Sequence, residues 1–228
     1  MRSPALRWPS HPDIDRNDPS LVLYTPLWKT EMQGSAPVSL DLNKHVCTVT
    51  GATWGSQGRT FDGTDDKIVL PETAVNRVQY ITMLAWVNCS RVNTNVGQII
   101  ARSGVKPHYI LTTGVSANKV SLYISTNGLT YETGFPSTAS ITNGTFAFIA
   151  GTYDGTTARI YINGLPDATA TTSSGAIDTT NDPVWLGEAS DGGGNWFKGI
   201  IGEAAIYNRA LPANEIWNLY LVTKWRYS

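Results

Sequence analysis

The chain has 228 residues, 41% of them hydrophobic and 15% charged, with a formal net charge of −1. That is enough apolar material for one domain with a sizeable core, and the charge is too evenly scattered for a nucleic-acid or anionic-membrane partner. No apolar run approaches the roughly 20 residues of a membrane span, and Met1–Pro9 lacks the apolar centre of a signal peptide, so neither membrane insertion nor export through a cleaved leader is expected.

Residues 1–20 carry four prolines, Pro4, Pro9, Pro12 and Pro19, among charged residues and Trp8. Proline cannot join a hydrogen-bonded ladder from the middle, so this stretch reads as an extended arm in front of a domain over 21–228. Within the domain, turn pairs recur at Asp62-Gly63, Asn127-Gly128, Asn143-Gly144, Asp154-Gly155, Asn163-Gly164 and Asp191-Gly192. They supply the positive φ angles of tight hairpins. Between them lie period-two segments, Tyr80–Val87, Val120–Ile124, Phe146–Ala150 and Arg159–Ile162, which read as half-buried antiparallel strands of a β-sandwich. Cys47 and Cys89 fall inside such apolar runs and read as reduced core residues. The glycosylation triplets at Asn88 and Asn143 would matter only in a secretory pathway.

The period changes after Leu211. Pro212 suits a helix start, and Ile216, Leu219 and Tyr220 then fall on one helical face, predicting a helix near 213–221. One short amphipathic helix is not stable alone, so it must dock on the side or an open edge of the sandwich.

The run Gly199–Leu211 followed by Glu215-Ile216 resembles the closing signature of laminin-G-like, concanavalin A-like jelly-roll domains. Phe61–Ile68 resembles that family's early FDG hairpin, Ala85-Trp86-Val87 its core tryptophan strand, and Tyr153-Asp154-Gly155 through Asn163-Gly164 its central hairpin. The resemblance spans roughly residues 21–222 in the family's order. It implies an all-β, two-sheet antiparallel jelly roll with one short C-terminal helix. It also implies a candidate structural Ca²⁺ site at Asp62, Asp65, Asp66 and Glu203. Where relatives often carry Asp before that glutamate, this chain has Gly202, so one carboxylate of the implied set is missing. The expectation is therefore no cofactor, or a single structural Ca²⁺, with a turn set by Asp62 and solvated Asp65 and Asp66 as the plain alternative.

Hydrolysis of glycosidic bonds needs two carboxyl groups facing one another about 5 to 10 Å apart. No strand here carries Glu-x-Asp or Glu-x-x-x-Glu; His11 lies in the arm, His45 follows a polar loop, His108 lacks a nearby Ser or Cys in a nucleophile context, and no phosphate loop or Cys/His metal spacing occurs. The reading is a non-enzymatic protein. Ser190–Trp196 offers Asp191, Asn195 and Trp196 to a glycan, and His108 and Tyr109 form a second, weaker rim. The tail Leu219–Ser228 resembles the ending of laminin-G-like proteins of tailed bacteriophages. The expectation is a virion surface protein, a capsid decoration or adhesin, that contacts capsid proteins or its own copies through Trp8 and Trp225 and also touches cell-surface glycans. The alternatives are a free carbohydrate-binding lectin domain and, more distantly, an endoglycanase.

Overall fold

The computed structural model describes residues 13–73, 75, 77–90, 97–104, 107–114, 118–171, 175–188 and 194–228. Fifteen strands run in chain order: β1 Leu21–Thr25, β2 Thr48–Thr50, β3 Thr53–Gly55, β4 Gly58–Asp62, β5 Lys67–Leu70, β6 Ile81–Cys89, β7 Gly97–Ser103, β8 Pro107–Thr113, β9 Lys119–Ile124, β10 Thr133–Ser140, β11 Phe146–Tyr153, β12 Thr157–Ile162, β13 Leu165–Thr171, β14 Val184–Leu186 and β15 Lys198–Tyr207. Helix α1, Ala213–Thr223, follows them. The first sheet has the order β13-β12-β11-β6-β15-β4-β3, with β1 also paired to β15. The second has the order β10-β9-β8-β7-β14-β5-β2. Every strand pairing among the described residues is antiparallel, as the period-two segments predict.

Alternation puts one side of each strand into the space between the sheets. Ile68, Leu70, Val184, Leu186, Ile99, Tyr109, Leu111, Val120 and Leu122 of the second sheet meet Phe61, Ile81, Met83, Ala85, Ile149, Ile160, Ile201 and Ile206 of the first in one core. A fully buried aliphatic or aromatic side chain contributes about 1.5–3 kcal/mol, so this layer is the main source of stability. Cys47 and Cys89 belong to it as free thiols, pushed up to about 12 and about 11 by burial.

The five turn pairs within the described residues divide into two kinds, and Asp191-Gly192 lies outside them. Asn127-Gly128, Asp154-Gly155 and Asn163-Gly164 close hairpins within one sheet. Asp62-Gly63 instead links β4 of the first sheet to β5 of the second, and Asn143-Gly144 links β10 of the second to β11 of the first. The expected FDG hairpin is therefore a crossing between layers. Gly63 and Gly144 keep positive φ, 82° and 75°, as the dipeptides require. The pair fixes the local backbone and leaves open which strand the chain joins next.

The helix docks on the outer face of the first sheet. Ile216 is buried there, with Leu219 and Tyr220 packed alongside, against Leu84, Trp86, Phe148, Ala150 and Tyr161. Trp86 belongs to this outer cluster and not to the layer between the sheets, a refinement of its expected role. Its ring stacks with Tyr220 at 5.7 Å and Tyr227 at 4.6 Å, and its Nε1 donates to Thr223 Oγ1 at 2.8 Å. The Asn-Arg-Ala-Leu turn before the helix is held by β6: Thr82 Oγ1 donates to the Arg209 carbonyl and accepts from the Leu211 amide, both at 2.8 Å. Residues 13–20, expected as the end of a free arm, lie against the same face, with Ile14 in its cluster. Trp8 lies outside the described residues. No helix among the described residues is long and apolar enough to cross a membrane.

Candidate functional site

The outer face of the second sheet differs in kind from the outer face of the first. The residues that alternate with its core positions fall into register across seven strands: Thr48 opposite Val69, then Trp185, Ala101, Ile110, Tyr123 and Gly134. Trp185 and Tyr123 are half-buried walls, while Ala101 and Ile110 form a low apolar floor between them. Tyr123 lies over Gly134, where a Cβ would come within 2.6 Å of its ring, so glycine is the residue that lets the ring lie down. Tyr131 meets Tyr123 edge-on at 5.7 Å.

A polar row flanks this trough. Gln98 is opposite Thr112, and Thr112 is opposite Ser121. Gln98 is 3% exposed and Ser121 1%. Gln98 Oε1, Ser121 Oγ and Trp185 Nε1 are buried with no hydrogen-bond partner among the described residues. Buried polar atoms in native proteins are nearly always paired, so these three stand out in the layer beneath the trough. At one end Lys67 Nζ lies over the rings of Trp185 and Trp196, 5.4 and 5.2 Å from their centroids, and bonds Glu188 Oε2 at 3.0 Å.

The residues singled out from the sequence distribute as follows. Asn195 and Trp196 sit half-buried beside the trough, the Asn195 carbonyl accepting from the Gln98 amide at 3.1 Å. Asp191 lies outside the described residues. The rim expected at His108 and Tyr109 is absent, because both are 0% exposed. Tyr109 points into the layer between the sheets, where burial holds its hydroxyl well above the usual tyrosine range. His108 clamps a loop, its Nδ1 to the Asp178 carbonyl at 2.8 Å and its Nε2 to Asp182 Oδ2 at 2.9 Å. Trp185, which the sequence reading passed over, is the principal wall. Its only signal is alternation within Val184-Trp185-Leu186, too short a run to reveal which residues stand opposite.

Asp62, Asp65 and Asp66 do converge, with one oxygen from each within 4.8 Å of the others. Burial first, then the charges of Asp62 and Asp65, push the Asp66 carboxyl up, against the pull of the Asp62 amide that it accepts at 2.7 Å. Three crowded hard oxygens fit a divalent cation such as Ca²⁺, yet supply only part of its usual six to eight ligands. Glu203 is not among them. It is fully buried in a different cluster, where its Oε2 accepts from Arg226 at 3.2 Å, Tyr24 at 3.3 Å and Trp28 at 3.4 Å. Arg226 also pairs with Asp13 at 2.9 Å. Burial pushes Glu203 up to about 7 despite the guanidinium. At Gly202 a Cβ would meet the Tyr227 ring at 2.5 Å, so a docked tail ring takes the space that the family's aspartate would need.

Two antiparallel sheets with one amphipathic, aromatic-walled outer face define a lectin-like jelly roll. Residues 62–217 match the family model Laminin_G_3, described as the concanavalin A-like lectin/glucanases superfamily, and the chain belongs to that family. No curated protein matches the chain by sequence. Among solved structures it is similar to domain 4 of AbnA, a GH43 extracellular arabinanase from Geobacillus stearothermophilus, in complex with arabinotriose. That match has 18% identity and a TM-score of 0.64, covering 88% of this chain and 98% of that one. It is also similar to Trypanosoma rangeli sialidase in complex with sialic acid, at 16% identity, a TM-score of 0.68, 91% of this chain and 33% of that one. A third similar structure is the botulinum neurotoxin serotype D binding domain, at 14% identity, a TM-score of 0.66, 90% of this chain and 52% of that one. At these identities the likeness is one of fold.

Proposed function

We propose that the protein is a non-enzymatic carbohydrate-recognition module whose ligand lies in the trough on the outer face of the second sheet. The observation that carries this is the row Trp185, Ala101, Ile110 and Tyr123, an apolar floor between two half-buried rings. Aromatic walls of this kind cover the apolar face of a sugar ring. The arabinotriose bound by the AbnA domain on the same fold supports the ligand class. The non-catalytic reading is supported by the place of Glu203: it approaches Asp13 across the Tyr24 hydroxyl, but it is itself fully buried and bonded to Arg226. Calorimetric titration with an oligosaccharide panel tests the proposal. Saturable binding lost in Trp185→Ala is expected; full binding by that variant would move the site elsewhere. Calcium, where bound, would sit at Asp62, Asp65 and Asp66 in a structural role and raise the melting midpoint. An unchanged midpoint with calcium and with chelator would leave the metal-free reading.

A second reading concerns where the module works, and here we propose the surface of a tailed-phage virion, bound to capsid proteins or to further copies. Trp217 and Leu221 on α1, and Trp225 in the 3-10 turn Lys224–Arg226 that follows it, recur at four-residue spacing, 38%, 38% and 42% exposed, an outward apolar stripe beside a docked helix face. Such stripes mark interaction surfaces. Sedimentation of Trp217→Ala/Trp225→Ala and of a chain lacking residues 1–12 tests it. Assembly lost in either variant supports this placement, and unchanged assembly in both removes it.

A further inference from the structure

We propose that the cavity between α1 and residues 13–18, on the outer face of the first sheet, takes one lysine side chain of a partner protein. The cavity measures about 230 Å³, below the roughly 300–1,000 Å³ of a drug-sized pocket, so it suits a single side chain. Leu211, Leu219 and Val222 give it aliphatic walls, and Asp13, Asp15, Asp18 and Glu215 line it with carboxyl groups. Three of the four carboxyls are already matched. Asp13 pairs with Arg226 at 2.9 Å and Lys29 at 3.4 Å, and Arg209 pairs with Glu215 at 2.6 Å and Asp18 at 3.6 Å. Asp15 is exposed and has no ion pair among the described residues; its Oδ1 accepts the Asn17 amide at 3.0 Å. The lining thus carries one uncompensated negative charge. Tyr207 is the independent sign of a ligand. It is 3% exposed, and its hydroxyl has no hydrogen-bond partner among the described residues, while burial and then the Asp18 charge keep it protonated. The unpartnered hydroxyls of Tyr109 and Tyr227 are sealed from solvent; that of Tyr207 is not, and it opens on the cavity that the residue lines. An ammonium brings three donors and one compact charge on a flexible four-carbon stem. It bonds Asp15 and the Tyr207 oxygen while its methylenes cover Leu211, Leu219 and Val222. A guanidinium fork uses both oxygens of a carboxylate, and Asp15 Oδ1 is already engaged. The choice of a partner's lysine over a free amine rests on the assembly reading above, because Trp217 and Leu221 lie exposed on the same helix.

The test follows the methyl NMR signals of Leu211, Leu219 and Val222 while the full chain is titrated with Nα-acetyl-lysine methylamide, its Nε-acetylated form, the norleucine analogue and pentylamine. The capped lysine should give saturable shifts in the millimolar range, and the two uncharged analogues should bind about tenfold more weakly or less, the order of one charge-assisted hydrogen bond. Asp15→Asn should weaken the capped lysine about tenfold and Tyr207→Phe, which removes only the hydroxyl, about threefold, both checked for folding by circular dichroism. Asp154→Asn, at an exposed aspartate between β11 and β12, makes the same change of net charge and should leave binding unaltered. Equal binding of the uncharged analogues, or equal weakening by Asp154→Asn, would overturn the site. Tighter binding of pentylamine than of the capped lysine would make a small amine the occupant and overturn the assignment to a partner protein. Absence of any shift with the capped lysine would overturn this inference and leave the sedimentation test of the assembly reading untouched. Unchanged assembly in that test, with the capped lysine still bound here, would overturn the assembly reading and with it the choice of a partner's lysine.

Discussion

The two sheets share a core but treat their outer faces in opposite ways. On the first, the face is closed: α1, residues 13–20 and the tail lie on Trp86, Phe148 and Tyr161, and Arg226 ties Glu203 to Asp13. On the second, Trp185 and Tyr123 are half-buried rings along an outer trough. Both faces bury polar atoms without a partner among the described residues, Glu203 Oε1, Arg226 Nε and Tyr227 Oη on the first and Gln98 Oε1, Ser121 Oγ and Trp185 Nε1 on the second, so the difference lies in the rings, covered by a docked helix and tail on one side and left partly open on the other. Stacked, covered rings stabilise a fold, and under the proposed function the open ones are kept for a ligand, which is the contrast between the faces.

The sharpest way to break it is Trp86→Ala. Trp86 is 4% exposed and stacks with two tail rings, so its loss should cost about 3–5 kcal/mol in urea unfolding. A cost below about 1 kcal/mol would mean the closed face is decorative. Next comes pH. Glu203 is held at about 7, above its ordinary value of 4.5, so the folded state keeps its proton where the unfolded chain has lost it. The resulting stability is full below about pH 4.5 and is lost as pH rises through about 7, by roughly 3 kcal/mol. Glu203→Gln should flatten that decline, and a slope unchanged in the variant would assign it to another group. Smaller again is Gly202→Asp, which restores the family's carboxylate but drives it into Tyr227 and should cost about 1–3 kcal/mol. A stable variant with new calcium affinity would show the tail to be easily displaced. Smallest in stability is Trp185→Ala on the open face, under about 1 kcal/mol as expected for a half-buried site away from the core, while carbohydrate binding is lost. A large stability loss there would contradict the division between the faces.

The strands and the helix were legible because each is written in local periodicity. Phe146–Ala150 expanded to β11 and Arg159–Ile162 to β12, and α1 begins one residue after Pro212. The trough was not legible, since its row draws on positions 69, 185, 101, 110, 123 and 134, and register between distant strands is set by the assembled layers. Trp196 was singled out in the sequence because its glycine-rich loop is a local feature. His108 and Tyr109 looked like a polar rim in a linear reading, but alternation and the 178–182 loop bury them. Gly202 is a case of the same kind: the departure from the family's aspartate is visible in sequence, while its cause, Tyr227, lies far down the chain.

The Asp13–Arg226 ion pair, finally, fixes an orientation. It brings the first described residue and the third from last together on the closed face, one sandwich thickness away from the trough. A change that loosens the tail therefore loosens residues 13–20 with it, while the other sheet's outer face keeps its own register.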